Sequence, residues 1–137
     1  MLRSGLTIEQ FHERQRGTLP ERYGFTLTEL SEGRVAAQFE VQPWMWAPNG
    51  YLHAASLIAL ADTCAGYGCI AHLPEAAQGF TTIELKSNFL GTAKEGVLTC
   101  VATADHLGKT TQVWSATVTT PNRKTMALFR CTQMVLY

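Results

Sequence analysis

A chain of 137 residues with 46% apolar and 16% charged side chains can bury one self-sufficient core and is too apolar to remain unfolded. Its 11 basic and 11 acidic residues cancel and are scattered, which argues against a nucleic-acid surface or a polyanionic partner. The opening "MLRSGLTIEQFHERQRG" lacks an apolar run with a cleavage site, and Cys64, Cys69, Cys100 and Cys131 lack metal-ligand spacing. A cytoplasmic protein with reduced packing thiols, no metal and no cofactor is therefore expected.

No repeat, linker or low-complexity stretch divides the chain, so residues 1–137 are expected to form one domain. A short amphipathic helix is predicted over about residues 7–16, with Ile8 and Phe11 on its apolar stripe. Gly17, Pro20 and Gly24 break it. "YGFTLTELSEGRVAAQFEVQP" then reads as two strands turning at Glu32-Gly33, with Val35, Ala37, Phe39 and Val41 on one face. "WMWAPNGYL" is a loop, and its Trp44, Trp46 and Tyr51 suit either a core or a pocket wall.

A long helix follows, from near Leu52 to Leu73-Pro74. Beyond it the periodicity becomes two: Ile83, Leu85 and Phe89 alternate with Glu84, Lys86 and Asn88. Turn signals at Glu95-Gly96, Leu107-Gly108 and Pro121-Asn122 separate further strands. Evenly spaced strands around one helix that is apolar nearly all round imply an α+β fold in which an antiparallel sheet wraps the helix. His12 and His72 read as surface residues.

Within "HAASLIALADTCAGYGC" one carboxylate, Asp62, stands among small and apolar residues. A bilayer span is disfavoured, because Asp62 would lie at its midplane and no Lys or Arg flanks it. Burying a lone carboxylate is costly, and such groups concentrate at functional sites. Its helical neighbours Ala55, Ile58, Ala59, Ala65, Gly66 and Cys69 are mostly small, leaving room for a ligand or another helix.

His53 is a natural partner for Asp62, yet it lies nine residues earlier, half a turn out of phase and about 13.5 Å away along a straight helix. The two can cooperate only across a second copy, as in a symmetric dimer. The first N–H groups of the helix, around Ala54 and Ala55, lack intrahelical acceptors and would polarise a carbonyl. Acid, helix terminus and apolar walls together suit hydrolysis.

"NGYLHAASLIALADTCAGYG" resembles the central-helix motif of PaaI-like acyl-CoA thioesterases of the hot-dog superfamily. The likeness continues through "TTIELKSNFLGTAKEG", "ADHLGKTTQVWSATV" and "TMALFRCTQMVLY". It implies a hot-dog fold, a long central helix wrapped by a curved antiparallel sheet, assembled as a dimer or tetramer with the site between copies. By the same likeness Asp62 would be nucleophile or general base, and the Ala54 N–H would polarise the thioester carbonyl. His53 would orient the helix start or carbonyl, and Asn49 is the nearest match to a family Asn or Gln. Lys109 and Thr110, with His106 and Thr111 beside them, would contact CoA phosphates. The family's Gly pair is Ala54-Ala55 here, and Gly66 stands where some relatives have Ser or Thr. A non-catalytic acyl-CoA binding protein and a 3-hydroxyacyl thioester dehydratase are the alternative readings.

Overall fold

The computed structural model describes residues 1–137. It begins with α1 (Ile8–Arg14), narrower than the expected 7–16 and closed at its start by a capping box between Thr7 and Gln10. One further turn, α2 (Leu19–Arg22), begins at a Pro-containing first turn. The hairpin of β1 (Thr26–Ser31) and β2 (Arg34–Glu40) turns at Gly33, whose φ of 68° favours glycine. Then come α3 (Ala54–Ala71), β3 (Gly79–Phe89), β4 (Val97–Leu107), β5 (Thr111–Thr119) and β6 (Thr125–Leu136). The six strands form one antiparallel sheet in the order β1-β2-β4-β5-β6-β3. It wraps α3, the hot-dog arrangement.

Alternation dictates which side chains face the helix. Val35, Ala37 and Phe39 of β2 meet Leu98, Cys100 and Ala102 of β4, Trp114, Ala116 and Val118 of β5, and Phe129 and Cys131 of β6. Leu57, Leu60, Ala61, Cys64 and Ala65 of α3 enter the same cluster. The helix is long and apolar enough by composition to cross a membrane, and its apolarity is that of a core helix. Its small residues are partly a packing requirement. A Cβ on Gly68 would stand 2.7 Å from the Trp114 ring, so only glycine lets helix and sheet approach this closely.

Two histidines expected on the surface are integrated into the fold. His12 is half-buried, and its Nε2 accepts the Leu27 N–H at 2.9 Å, tying α1 to β1. His72, only 5% exposed, ends α3: its Nε2 accepts the Gly33 N–H at 2.9 Å and its Nδ1 donates to the Gly68 carbonyl at 2.8 Å. The first of these bonds requires the neutral ring, because a protonated Nε2 has no lone pair to offer Gly33. Burial also holds the His72 pKa below the usual histidine value. The unfolded chain therefore takes up this proton first, and stability is lost as pH falls below about 6.5. Melting followed by circular dichroism from pH 7 to pH 5 should show Tm falling by a few degrees, with a shallower slope in His72→Gln.

Beyond His72, Arg3 gathers the chain that leaves α3, its guanidinium donating to the carbonyls of Leu73, Pro74, Glu75 and Ala77. At the other margin of the sheet, β3 is the last strand and its outer edge is unpaired. A bulge between Thr82 and Glu84 shifts its alternation. Ile83 at the bulge is 53% exposed, and Leu85 and Phe89, opposite the inward Cys131 and Ala127, are 39% and 44% exposed.

Candidate active site

The loop before α3 is braced so that it aims the helix start. The Ala47 N–H donates to the Tyr51 carbonyl, the Leu52 N–H to Ala93, and the His53 N–H to Met45. Asn49 Oδ1 accepts the Tyr51 N–H at 3.1 Å, so this side chain holds the turn, while its amide end is not used in that bond. Trp46 Nε1 donates to the Lys94 carbonyl, and the Lys94 ammonium lies 4.6 Å from the centre of the Tyr51 ring.

His53 is the N-cap of α3, with Nδ1 accepting the Ala55 N–H at 2.9 Å. The Ala54 N–H has no acceptor in the chain. One donor is thus capped and its neighbour left free. A cavity of about 400 Å³ opens here, lined by Asn49, Tyr51, His53, Ala54, Leu57 and Phe89 among others. Tyr51 belongs to its wall, whereas Trp44 packs on Tyr23 with ring centres 4.9 Å apart and Trp46 bonds the neighbouring loop.

Three of the four expected catalytic residues meet in this cavity; Asp62 does not line it. That separation follows from helical phase. Asp62 is half-buried farther along α3, on the side facing β3 and β6, where burial raises its pKa and the Thr82 hydroxyl acts in the opposite sense. The Thr82 hydroxyl donates to Gln133 Oε1 at 2.8 Å, and Asp62 Oδ1 is buried without a hydrogen-bond partner. Next along this face, Gly66 makes room for Phe80, whose ring would lie 3.2 Å from a Cβ added there.

Thr82 and Gln133 escaped the sequence reading. Thr82 alternates in phase with the inward face of β3, a signal masked by the bulge that follows it. Gln133 keeps the inward alternation of Phe129, Cys131 and Val135 on β6, a signal that its polar side chain disguised.

The residues expected to meet CoA cluster around the β4–β5 turn. Lys109 and Thr110 are exposed at its tip, His106 is exposed one residue before the end of β4, and Thr111 opens β5 half-buried. Backbone bonds shape the turn: the Gly108 N–H donates to Thr111, the Val135 N–H to Thr110, and the Tyr137 hydroxyl to the Lys109 carbonyl. Lys109 borders a different groove, about 870 Å³, with Arg14, His72 and Leu73 near the C-terminal end of α3. About 27 Å of helix separates the two ends, so one chain does not bring Lys109 to Ala54.

Known proteins share this architecture. A mutant of thioesterase PA1618 from Pseudomonas aeruginosa superposes with a TM-score of 0.93 at 24% identity, covering 98% of this chain and 97% of that one. Residues 49–127 match the Thioesterase superfamily. The chain is 32% identical over 114 residues to the 1,4-dihydroxy-2-naphthoyl-CoA hydrolase of Listeria monocytogenes, spanning 83% of this chain and 92% of that protein. It is 31% identical over 108 residues to the acyl-coenzyme A thioesterase PaaI of Escherichia coli, spanning 78% and 74%. The fold and these relatives together define a hot-dog thioester hydrolase. The chain belongs to the thioesterase superfamily, among its PaaI-like members.

Proposed function

We propose that this protein is an acyl-CoA thioesterase whose active site forms between two copies, releasing a carboxylic acid and free CoA. One observation carries the reading: each chain holds two incomplete halves. The cavity at the helix start has a free Ala54 N–H and no acid, while Asp62 has an unpartnered oxygen and no polarising donor beside it. A two-fold axis along the open edge of β3 brings the halves of different copies together and covers Leu85 and Phe89.

In that assembly the Ala54 N–H holds the thioester oxygen as it gains charge, and His53 keeps the helix start in position by capping Ala55. Asp62 attacks the carbonyl or takes a proton from the attacking water. Asn49 borders the same cavity with an amide end for substrate or water. Lys109 and Thr110, flanked by His106 and Thr111, meet the CoA phosphates from the far end of α3. CoA arrives as part of the substrate, and no cofactor is needed. The relatives named for CoA thioesters support this substrate class. Four free thiols suit the reducing cytoplasm.

The methyl groups of Ala54 and Ala55 narrow the approach to the helix start and favour a second reading, acyl-CoA binding without turnover. Thiol release from a panel of aryl and straight-chain acyl-CoAs separates the two. Hydrolysis of at least one member is expected. Binding by calorimetry with no thiol released from any member would establish the second reading.

A further inference from the structure

Behind Asp62 lies a polar chain that runs into the core. The Thr82 hydroxyl stands beside the carboxyl, and its single hydrogen is given to Gln133 Oε1 at 2.8 Å. Gln133 is fully buried, and its other end is engaged too, with Nε2 donating to Cys131 Sγ at 3.3 Å. A hydroxyl has one hydrogen and two lone pairs. While Gln133 takes the hydrogen, Thr82 offers Asp62 only a lone pair, and the buried Asp62 Oδ1 is left without a donor.

We propose that Gln133 is a positioning residue that fixes the direction of the Thr82 hydroxyl and so governs when Asp62 carries its proton. This inference rests on the reading of Asp62 as the reacting carboxyl. Protonated, Asp62 donates its O–H to Thr82, which donates to Gln133, and each group in the line has a partner. Ionised, Asp62 competes with Gln133 for the one hydroxyl hydrogen. Gln133 thereby favours the neutral acid and equips Asp62 to return to the departing CoA sulfur the proton it took from water. No atom moves along the chain; only hydrogen-bond directions are set.

Other ionisable groups nearby are few. Cys131 of β6 lies close enough to feel the Asp62 charge, Cys69 of α3 adjoins that thiol, and Glu84 of β3 acts on it as well. Burial pushes both thiols up to about 12, which keeps them neutral through the working range. In the paired assembly, His53 of the second copy would join them.

The test is a titration of the Asp62 side-chain carboxyl by ¹³C NMR in the full-length protein, which needs no turnover. Gln133→Leu releases the Thr82 hydrogen to Asp62 and should lower its midpoint by about half to one pH unit. Gln133→Met, closer in shape, should do the same and serves if the leucine variant folds poorly. In a Thr82→Val background the Gln133 substitution should move the midpoint by less than about 0.2 unit, because the connecting hydroxyl is gone. The acid limb of kcat/KM should follow the titration. A midpoint that stays or rises, or an equal shift in both backgrounds, overturns the inference. Loss of turnover in Asp62→Asn with an unmoved titration would refute the relay alone. Unchanged turnover in Asp62→Asn would refute the catalytic reading, whatever the titration shows.

Discussion

Asp62→Asn should lower kcat by about 10²–10⁴-fold, the range expected when a positioned acid–base group is removed, while the protein folds normally. Asparagine copies the shape of the carboxylate but can neither attack a thioester nor hold a proton taken from water. Because one carboxylate oxygen is buried without a partner, the substitution also relieves a cost, and Tm at pH 7 should stay level or rise. Burial raises the Asp62 pKa, so the unfolded chain gives up this proton at lower pH than the folded one does. Ionisation therefore weakens the wild type as pH climbs from the ordinary carboxylate range, and the advantage of the asparagine variant should widen toward neutrality. Thiol-release kinetics and calorimetric melting over a pH series check both halves. Unaltered kcat would remove Asp62 from the chemistry.

The second large effect concerns the site proposed to form between two copies. Ala54→Pro deletes the N–H assigned to the thioester oxygen with little harm to the helix. Ala54 is the first helical residue, its N–H has no acceptor to lose, and His53 before it already has φ −66° and ψ 137°, which suit a residue preceding proline. This variant should lose about 10²–10³-fold in kcat. Equal amounts of Ala54→Pro and Asp62→Asn chains, refolded together, should then recover about a quarter of wild-type activity. Half of the dimers are mixed, and each mixed dimer has one intact site. The same chains refolded separately and then assayed together without exchange should stay inactive. Failure to recover activity in the mixed sample would show that donor and acid do not come from different copies.

The central helix was legible because a lone carboxylate in a small-residue run is a conspicuous departure from core chemistry. The β1–β2 turn was legible because Gly33 sits where the backbone needs positive φ. Helical phase and rise set His53 apart from Asp62 within one chain, and Asp62 does not line the cavity that His53 borders. What stayed hidden were polar residues whose partners are distant in sequence. His72 is buried because Gly33, 39 positions away, supplies its donor. Gln112 is buried because its amide reaches the His72 carbonyl and its oxygen takes the Trp114 indole hydrogen. Gln133 depends likewise on Thr82, 51 positions before it. Periodicity reports average polarity and is blind to such pairings. The bulge in β3 had a similar effect: it turns Ile83 out of the alternation that Leu85 and Phe89 keep.

The unpaired margin of β3 also bears on how the protein survives its own synthesis. Eleven residues of strand, with bare amide and carbonyl groups along one side, are a template onto which any extended chain can add. Glu84 and Lys86, exposed along that strand, are the kind of gatekeeper charges that discourage indefinite stacking into aggregates. In the proposed dimer, a freshly made copy that meets its twin before it meets an unrelated unfolded chain would escape that fate.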